Sequence, residues 1–193
     1  MTPGEGQPFR LILITDWGLD DCLERVAAVA NSVDGVAIQH RHPGASDRVF
    51  YEQGQRLRDA IRAPLFVNGR VDVALALEAH VHLTESSLDV AHVRSMLPRE
   101  RLISVSWHSG EVRAGADLAL LSPVFKKGDA PVLGVARFEE MAATTSIPVF
   151  ALGGVTPENA GLLRGHSGVA AIGSVLHAPD PVAAARALLQ RER

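Results

Sequence analysis

The chain has 193 residues, of which 47% are apolar and 21% charged, and its formal net charge is −3. That length suits one domain able to bury a sizeable core, and the charge gives no attraction to nucleic acid or to a membrane surface. Cys22 is the only cysteine, which excludes an internal disulfide and a cysteine-built zinc site.

No apolar run is long enough to span a bilayer. The opening MTPGEGQPF is polar and turn-rich, without the basic and apolar regions of a secretory signal, so a cytoplasmic protein is expected. Residues 1–9 are predicted to be a flexible tail and 10–193 a single domain. RLILIT (10–15) is a continuous apolar run, as a strand buried on both faces requires. In the next segment Leu19, Leu23, Val26 and Ala30 recur at helical spacing. GVAIQ (35–39) is a second buried strand, residues 47–61 a second helix, and PLFV (64–67) a third strand.

Asn68-Gly69 follows, the strongest short signal for a hairpin when it separates apolar segments. Beyond it, however, Val71, Ala74, Leu75 and Leu77 keep a helical period rather than strict alternation. The third strand therefore feeds a helix. AHVHL (79–83) is a strand and 89–97 a helix; LISVS (102–106) is a strand with a short helix near 109–116. DLALLS (117–122) is a strand and 134–145 a helix; PVFALGG (148–154) is a strand and 157–165 a helix. VAAIGS (169–174) is the last strand and 181–193 the closing helix. Thr156-Pro157 and Asp180-Pro181 each read as an N-cap followed by proline at the first helical position.

Alternating β and α elements demand a parallel sheet with right-handed crossovers. Eight units predict an α/β protein built as a single (β/α)8 TIM barrel, with an open doubly wound sheet as the rival. No G-x-G-x-x-G follows the first strand, which weighs against a dinucleotide-binding version.

In such a barrel the site lies at the C-terminal ends of the strands. ALGGVTPENA places Gly153 and Gly154 between a strand and a helix start, and AIGSV places Gly173 and Ser174 at the next strand end. Free backbone N–H groups there predict a phosphate site, the alternative being that the glycines only turn the chain. Lys126-Lys127 after strand six is either a second anion contact or a solvated pair. Arg41, between His40 and His42, is either an anion clamp or part of a surface cluster. His82, in an apolar stretch, reads first as a packed barrel residue; His108, beside Trp107, is a candidate general acid or base. The eight histidines show no metal-ligand spacing.

The stretches LITD, IQHR, VNGRVDVALAL, VHL, SWHS, AGADLALLSPVF, ALGGVTPENA and AIGSVL occur in one order along nearly the whole chain after residue 9. In these the chain resembles the thiamine phosphate synthase/TenI family, a family of TIM barrels. The resemblance implies one of two reactions. The synthase joins a hydroxymethylpyrimidine pyrophosphate to a thiazole phosphate, with Mg2+ held by two aspartates. The TenI branch includes thiazole tautomerases, which move a proton on a thiazole carboxylate phosphate.

Gly69 and Ser87 stand where the synthase motifs place those aspartates, and Pro43 stands where they place a pyrophosphate-binding lysine. Asn68-Gly69-Arg70-Val71-Asp72 is similar to the TenI branch instead. The tautomerase histidine lies at the strand-six end, where this chain has Pro123.

The resemblance therefore implies a TenI-like protein that binds thiazole phosphate or thiamine phosphate without efficient synthase activity. Gln39, Arg41, Asn68, His82 and Lys127 would line its pocket, and His108 is the candidate catalytic residue. No metal is expected unless synthase chemistry is retained, in which case Glu85 and Asp89 are the carboxylates near enough to relocate an Mg2+ site. The alternatives are a synthase with rearranged metal ligands and a silent barrel that binds a phosphorylated ligand. A homo-oligomer is an open expectation; neither nucleic acid nor membrane is expected as a partner.

Overall fold

Leu11–Ile14, the first strand (β1), is buried at every position, because one of its faces meets helices and the other fills a barrel. The structure, a computed structural model, describes residues 8–125 and 131–191. β1 is followed by β2 (Val36–His40), β3 (Leu65–Asn68), β4 (His80–Leu83), β5 (Ile103–Trp107), β6 (Leu118–Leu121), β7 (Val149–Ala151) and β8 (Gly168–Ala171). They pair in chain order and close, β8 against β1, into a parallel barrel. The helices are α1 (Cys22–Ser32), α2 (Asp47–Ala60), α3 (Val71–Ala76), α4 (Val90–Met96), α5 (Gly134–Ala142), α6 (Gly173–Leu176) and α7 (Pro181–Arg191). The TIM barrel expected from the alternation is the fold observed.

Side chains on a strand alternate between faces. Ile12, Ala37, Phe66, Leu118, Leu120, Phe150 and Ala170 form an inner apolar cluster, distinct from the larger one under the helices. Phe9, assigned to the tail from sequence, is buried in this inner cluster, its ring 5.7 Å from Phe66 and 5.6 Å from Phe150. The domain thus begins before residue 10, and Phe9 plugs the end of the barrel where the strands start. Gly168 makes that plug fit: a Cβ there would stand 2.2 Å from the Arg10 carbonyl oxygen and 2.6 Å from the Phe150 ring.

Two residues further along the strands the interior turns polar. Gln39 follows Ala37, Asn68 follows Phe66, and in register across the sheet Asn68 meets His82 and His82 meets Ser104. That polar set belongs to β2–β5; on the opposite side Ile14, Leu152 and Ile172 keep the wall apolar, and the pocket lies between the two at the C-terminal strand ends.

Three expected elements differ. No helix forms over 109–116: Gly110 and Gly115 turn through positive φ, and Trp107 Nε1–H donates to the Gly110 carbonyl at 3.0 Å. In place of a helix over 157–165 there is one 3-10 turn, Ala160–Leu162. The Asn159 side chain explains this, accepting from Thr156 N–H at 2.8 Å and donating to the Gly154 carbonyl at 2.9 Å. Such side-chain bonds compete with the helical ladder. Strand eight stops at Ala171, and Gly173–Leu176 coil into α6. At Asp180 the expected cap is present, its Oδ1 accepting from Ala183 N–H at 2.9 Å.

Candidate active site

A cleft of about 980 Å³ opens at the C-terminal strand ends. Gln39, Arg41, Asn68, His82, His108, Gly153, Gly154, Gly173 and Ser174 all line it. Every pocket residue expected from sequence is therefore gathered there except Lys127, which lies with Lys126 outside the described residues. Thr84, Glu85, Ser86, Ser106, Ser122, Thr156 and His177 also line it. Ser104 and Ser106 carried a usable signal: two apart on one strand, they share the inward face that their neighbours define.

On one side the loops after β6 and β7 lock together. Val124 N–H donates to the Leu152 carbonyl and Phe125 N–H to the Gly153 carbonyl, each at 2.9 Å. Gly153 and Gly154 have φ of 96° and 66°, and a Cβ would stand 2.8 Å from Pro123 or 2.9 Å from the Phe125 carbonyl oxygen. Glycine is thus required here by packing as well as by the turn. The backbone N–H groups of Gly153, Gly154, Gly173 and Ser174 donate to no partner among the described residues. Unpaired donors beside a cleft fit an anion.

Opposite them, Gln39 Nε2–H donates to Asn68 Oδ1 at 3.0 Å. Thr15 Oγ1 accepts from Arg41 N–H and donates to the Arg41 carbonyl, each at 2.9 Å, fixing the backbone that carries the exposed guanidinium.

Two of the three histidines that line the cleft, His82 and His108, differ sharply. His82 is only 3% exposed, with Nδ1 at 2.9 Å from Ser104 Oγ and Nε2 at 3.0 Å from Ser106 Oγ. Burial, with the nearby charges of Arg41 and His108 adding to it, pushes its pKa down to about 3. It is a neutral wall residue with both nitrogens engaged. His108 is exposed, and its Nδ1 lies 2.7 Å from the Ser122 carbonyl oxygen. A carbonyl can only accept, so Nδ1 carries the proton and Nε2 of the neutral ring keeps a free lone pair.

His40 and His80 are also held neutral, both pushed down to about 4 mainly by burial. His40 accepts from Trp17 Nε1–H at 3.1 Å and donates to the Phe50 carbonyl at 2.9 Å. An unfolded chain protonates these histidines near their ordinary 6.5. Their contribution is fully present above about pH 6.5 and is lost as the pH falls toward 4 and, for His82, toward 3. Urea unfolding should therefore show stability decreasing from pH 7 to pH 4, with a slope of up to about 1.4 kcal/mol per pH unit for each such histidine.

A closed eight-stranded parallel barrel with a cleft at its C-terminal strand ends defines a TIM barrel. Residues 11–175 match the family described as thiamine monophosphate synthase, and the chain belongs to that family. It is 38% identical over 185 residues to a thiamine-phosphate synthase of Laribacter hongkongensis, covering 89% of this chain and 87% of the relative. A thiamine-phosphate synthase of Chloroflexus aurantiacus is 35% identical, with 93% and 91% covered. Among solved structures, thiamine phosphate pyrophosphorylase from Pyrococcus furiosus is 33% identical, with a TM-score of 0.85 over 95% of each chain. 3-Hexulose-6-phosphate synthase, at 19% identity and a TM-score of 0.73, shares the fold alone.

Synthase chemistry implies Mg2+, and the residues here do not fit that ion. Gly69 offers no side chain, and the space where its Cβ would stand is open for 4 Å. Ser87 Oγ is committed to a local turn, accepting from Thr84 N–H at 3.0 Å. Glu85 is the single carboxylate among the described residues of the cleft wall. Asp89 is not on that wall; it lies 4.0 Å from the Arg113 guanidinium, so only one of the two carboxylates considered for a relocated site faces the cleft. Among the described residues no three His, Cys, Asp or Glu side chains group as a metal site.

Proposed function

We propose that the protein binds a thiazole phosphate in this cleft and moves a proton on it, as a thiazole tautomerase of the TenI kind does, without efficient synthase activity. One observation carries the reading. The cleft joins four backbone N–H groups, unpaired among the described residues, to a histidine with a free Nε2, and the described part of its wall holds one carboxylate, Glu85, rather than the pair that a magnesium-held pyrophosphate needs. The phosphate accepts from Gly153, Gly154, Gly173 and Ser174. Arg41 faces a second anionic group, such as a carboxylate on the ring. Its guanidinium geometry suits that group. His108 Nε2 takes a proton from one ring position and returns it at another. Substrate and product are then isomers, and the base is restored.

The relatives named as synthases support a second reading, condensation of hydroxymethylpyrimidine pyrophosphate with thiazole phosphate. A paired assay separates the two. With thiazole carboxylate phosphate and a chelator present, isomerisation is expected well above the enzyme-free rate. With both synthase substrates and Mg2+, thiamine phosphate should form slowly or not at all. Rapid magnesium-dependent formation of thiamine phosphate, with no isomerisation, would reverse the assignment.

A further inference from the structure

At the lip of the cleft, His177 and Asp16 form a pair that the proton-transfer reading does not use. His177 follows α6 directly and lines the cleft beside Gly173 and Ser174. Its Nε2 lies 2.8 Å from Asp16 Oδ2, beyond the end of β1. A carboxylate only accepts here, so Nε2 carries a proton and Nδ1 is the nitrogen left for another partner. That nitrogen lies over the first turn of α6: a Cβ on Gly173, four residues back, would stand 3.4 Å from it.

The ring is also held from behind. Arg25, from α1, donates to the Ala178 carbonyl at 2.9 Å and to the Leu176 carbonyl at 3.4 Å, one on either side of His177. Arg25 is itself bound to Asp21 at 2.7 Å. Among the described residues, the charged groups on the elements that flank the imidazole are Asp16 after β1, Arg25 and its partner Asp21 at α1, and Asp180 ahead of α7. α6 itself contributes none.

We propose that Asp16 and His177 are the side-chain half of the phosphate subsite, with His177 Nδ1–H donating to a phosphoryl oxygen and Asp16 holding the ring. This rests on the phosphate reading above and adds to it a side chain, among the described residues, that lines that end of the cleft beside Gly173 and Ser174. With Nε2–H committed to Asp16, only the imidazolium offers a proton at Nδ1. The clamp therefore recognises a phosphate monoester as an ion and makes its binding proton-linked. His177 binds; Asp16 positions it.

Calorimetry with thiazole phosphate and with the dephosphorylated thiazole alcohol tests the clamp. His177→Ala should weaken thiazole phosphate by about tenfold or more, the scale of a lost charge-assisted hydrogen bond, and leave the alcohol unchanged. The advantage of wild type over His177→Gln should grow as the pH is lowered, the dependence left in the variant being that of the phosphate itself. Asp16→Asn, which removes the carboxylate that holds the ring, should weaken thiazole phosphate and leave the alcohol unchanged. Equal weakening of both ligands, or unchanged phosphate affinity in His177→Ala while Gly154→Val loses binding, would overturn the clamp and leave the backbone subsite standing. A wild type that binds neither ligand would remove the underlying reading and the clamp together.

Discussion

Gly154→Val is expected to abolish measurable binding of thiazole phosphate, a loss of at least about 100-fold by calorimetry, as when several charge-assisted hydrogen bonds are lost together. Gly154 sits at φ 66° with the Phe125 carbonyl oxygen 2.9 Å from where a Cβ would stand. A β-branched residue is strained in that conformation and has no room. The loop after β6, tied to this one through Phe125 N–H and the Gly153 carbonyl, must move away, and the N–H groups proposed to meet the phosphate turn with it. Gly165→Val provides the control. Gly165 has a similar φ of 70° but nothing within 4 Å of a Cβ, and it is not on the cleft wall. It should lower stability by about 1–3 kcal/mol, the ordinary cost of such strain, and leave the affinity intact. Equal affinities in the two variants would show that Gly154 has no part in the subsite.

His108→Ala should lower the turnover number for isomerisation by about 10²- to 10⁴-fold with little change in thiazole phosphate affinity, the range for loss of a positioned general base. The argument is the tautomer. The Ser122 carbonyl at 2.7 Å holds the proton on Nδ1, so Nε2 is the lone pair that accepts. His82 is no substitute, since both its nitrogens are engaged by serines and burial keeps the ring neutral. His82→Gln should accordingly change affinity and stability more than turnover. Full isomerase activity in His108→Ala, followed by NMR of the substrate in D2O, would remove the base from the mechanism.

The barrel was legible in the sequence because its strands are buried on both faces. Runs such as RLILIT and DLALLS are short, continuous and apolar, as covered parallel strands between helical segments require. The connections were less legible, because side chains settle them. Asn159, bonded to Thr156 and Gly154, interrupts a segment that reads as a helix, and α6 is too short for any period to reveal. The pocket residues were found through strand ends, which topology alone brings together. His177 was not, because it lies beyond the strand end and owes its place to a carboxylate 161 residues away. A histidine one helical turn after Gly173 is the signal that could have pointed to it. Phe9 escaped for the opposite reason: a lone aromatic in a polar segment carries no pattern until the barrel it plugs exists.

The proposed phosphate subsite stands among described residues that do not fit a magnesium-held pyrophosphate. Calorimetric titration of the wild type with thiazole phosphate and with pyrophosphate, each with and without Mg2+, tests it most directly. The account predicts that thiazole phosphate binds with the same affinity in both conditions and that Mg2+ does not tighten pyrophosphate. A pyrophosphate affinity that rises steeply with Mg2+ would contradict it and return the protein to synthase chemistry.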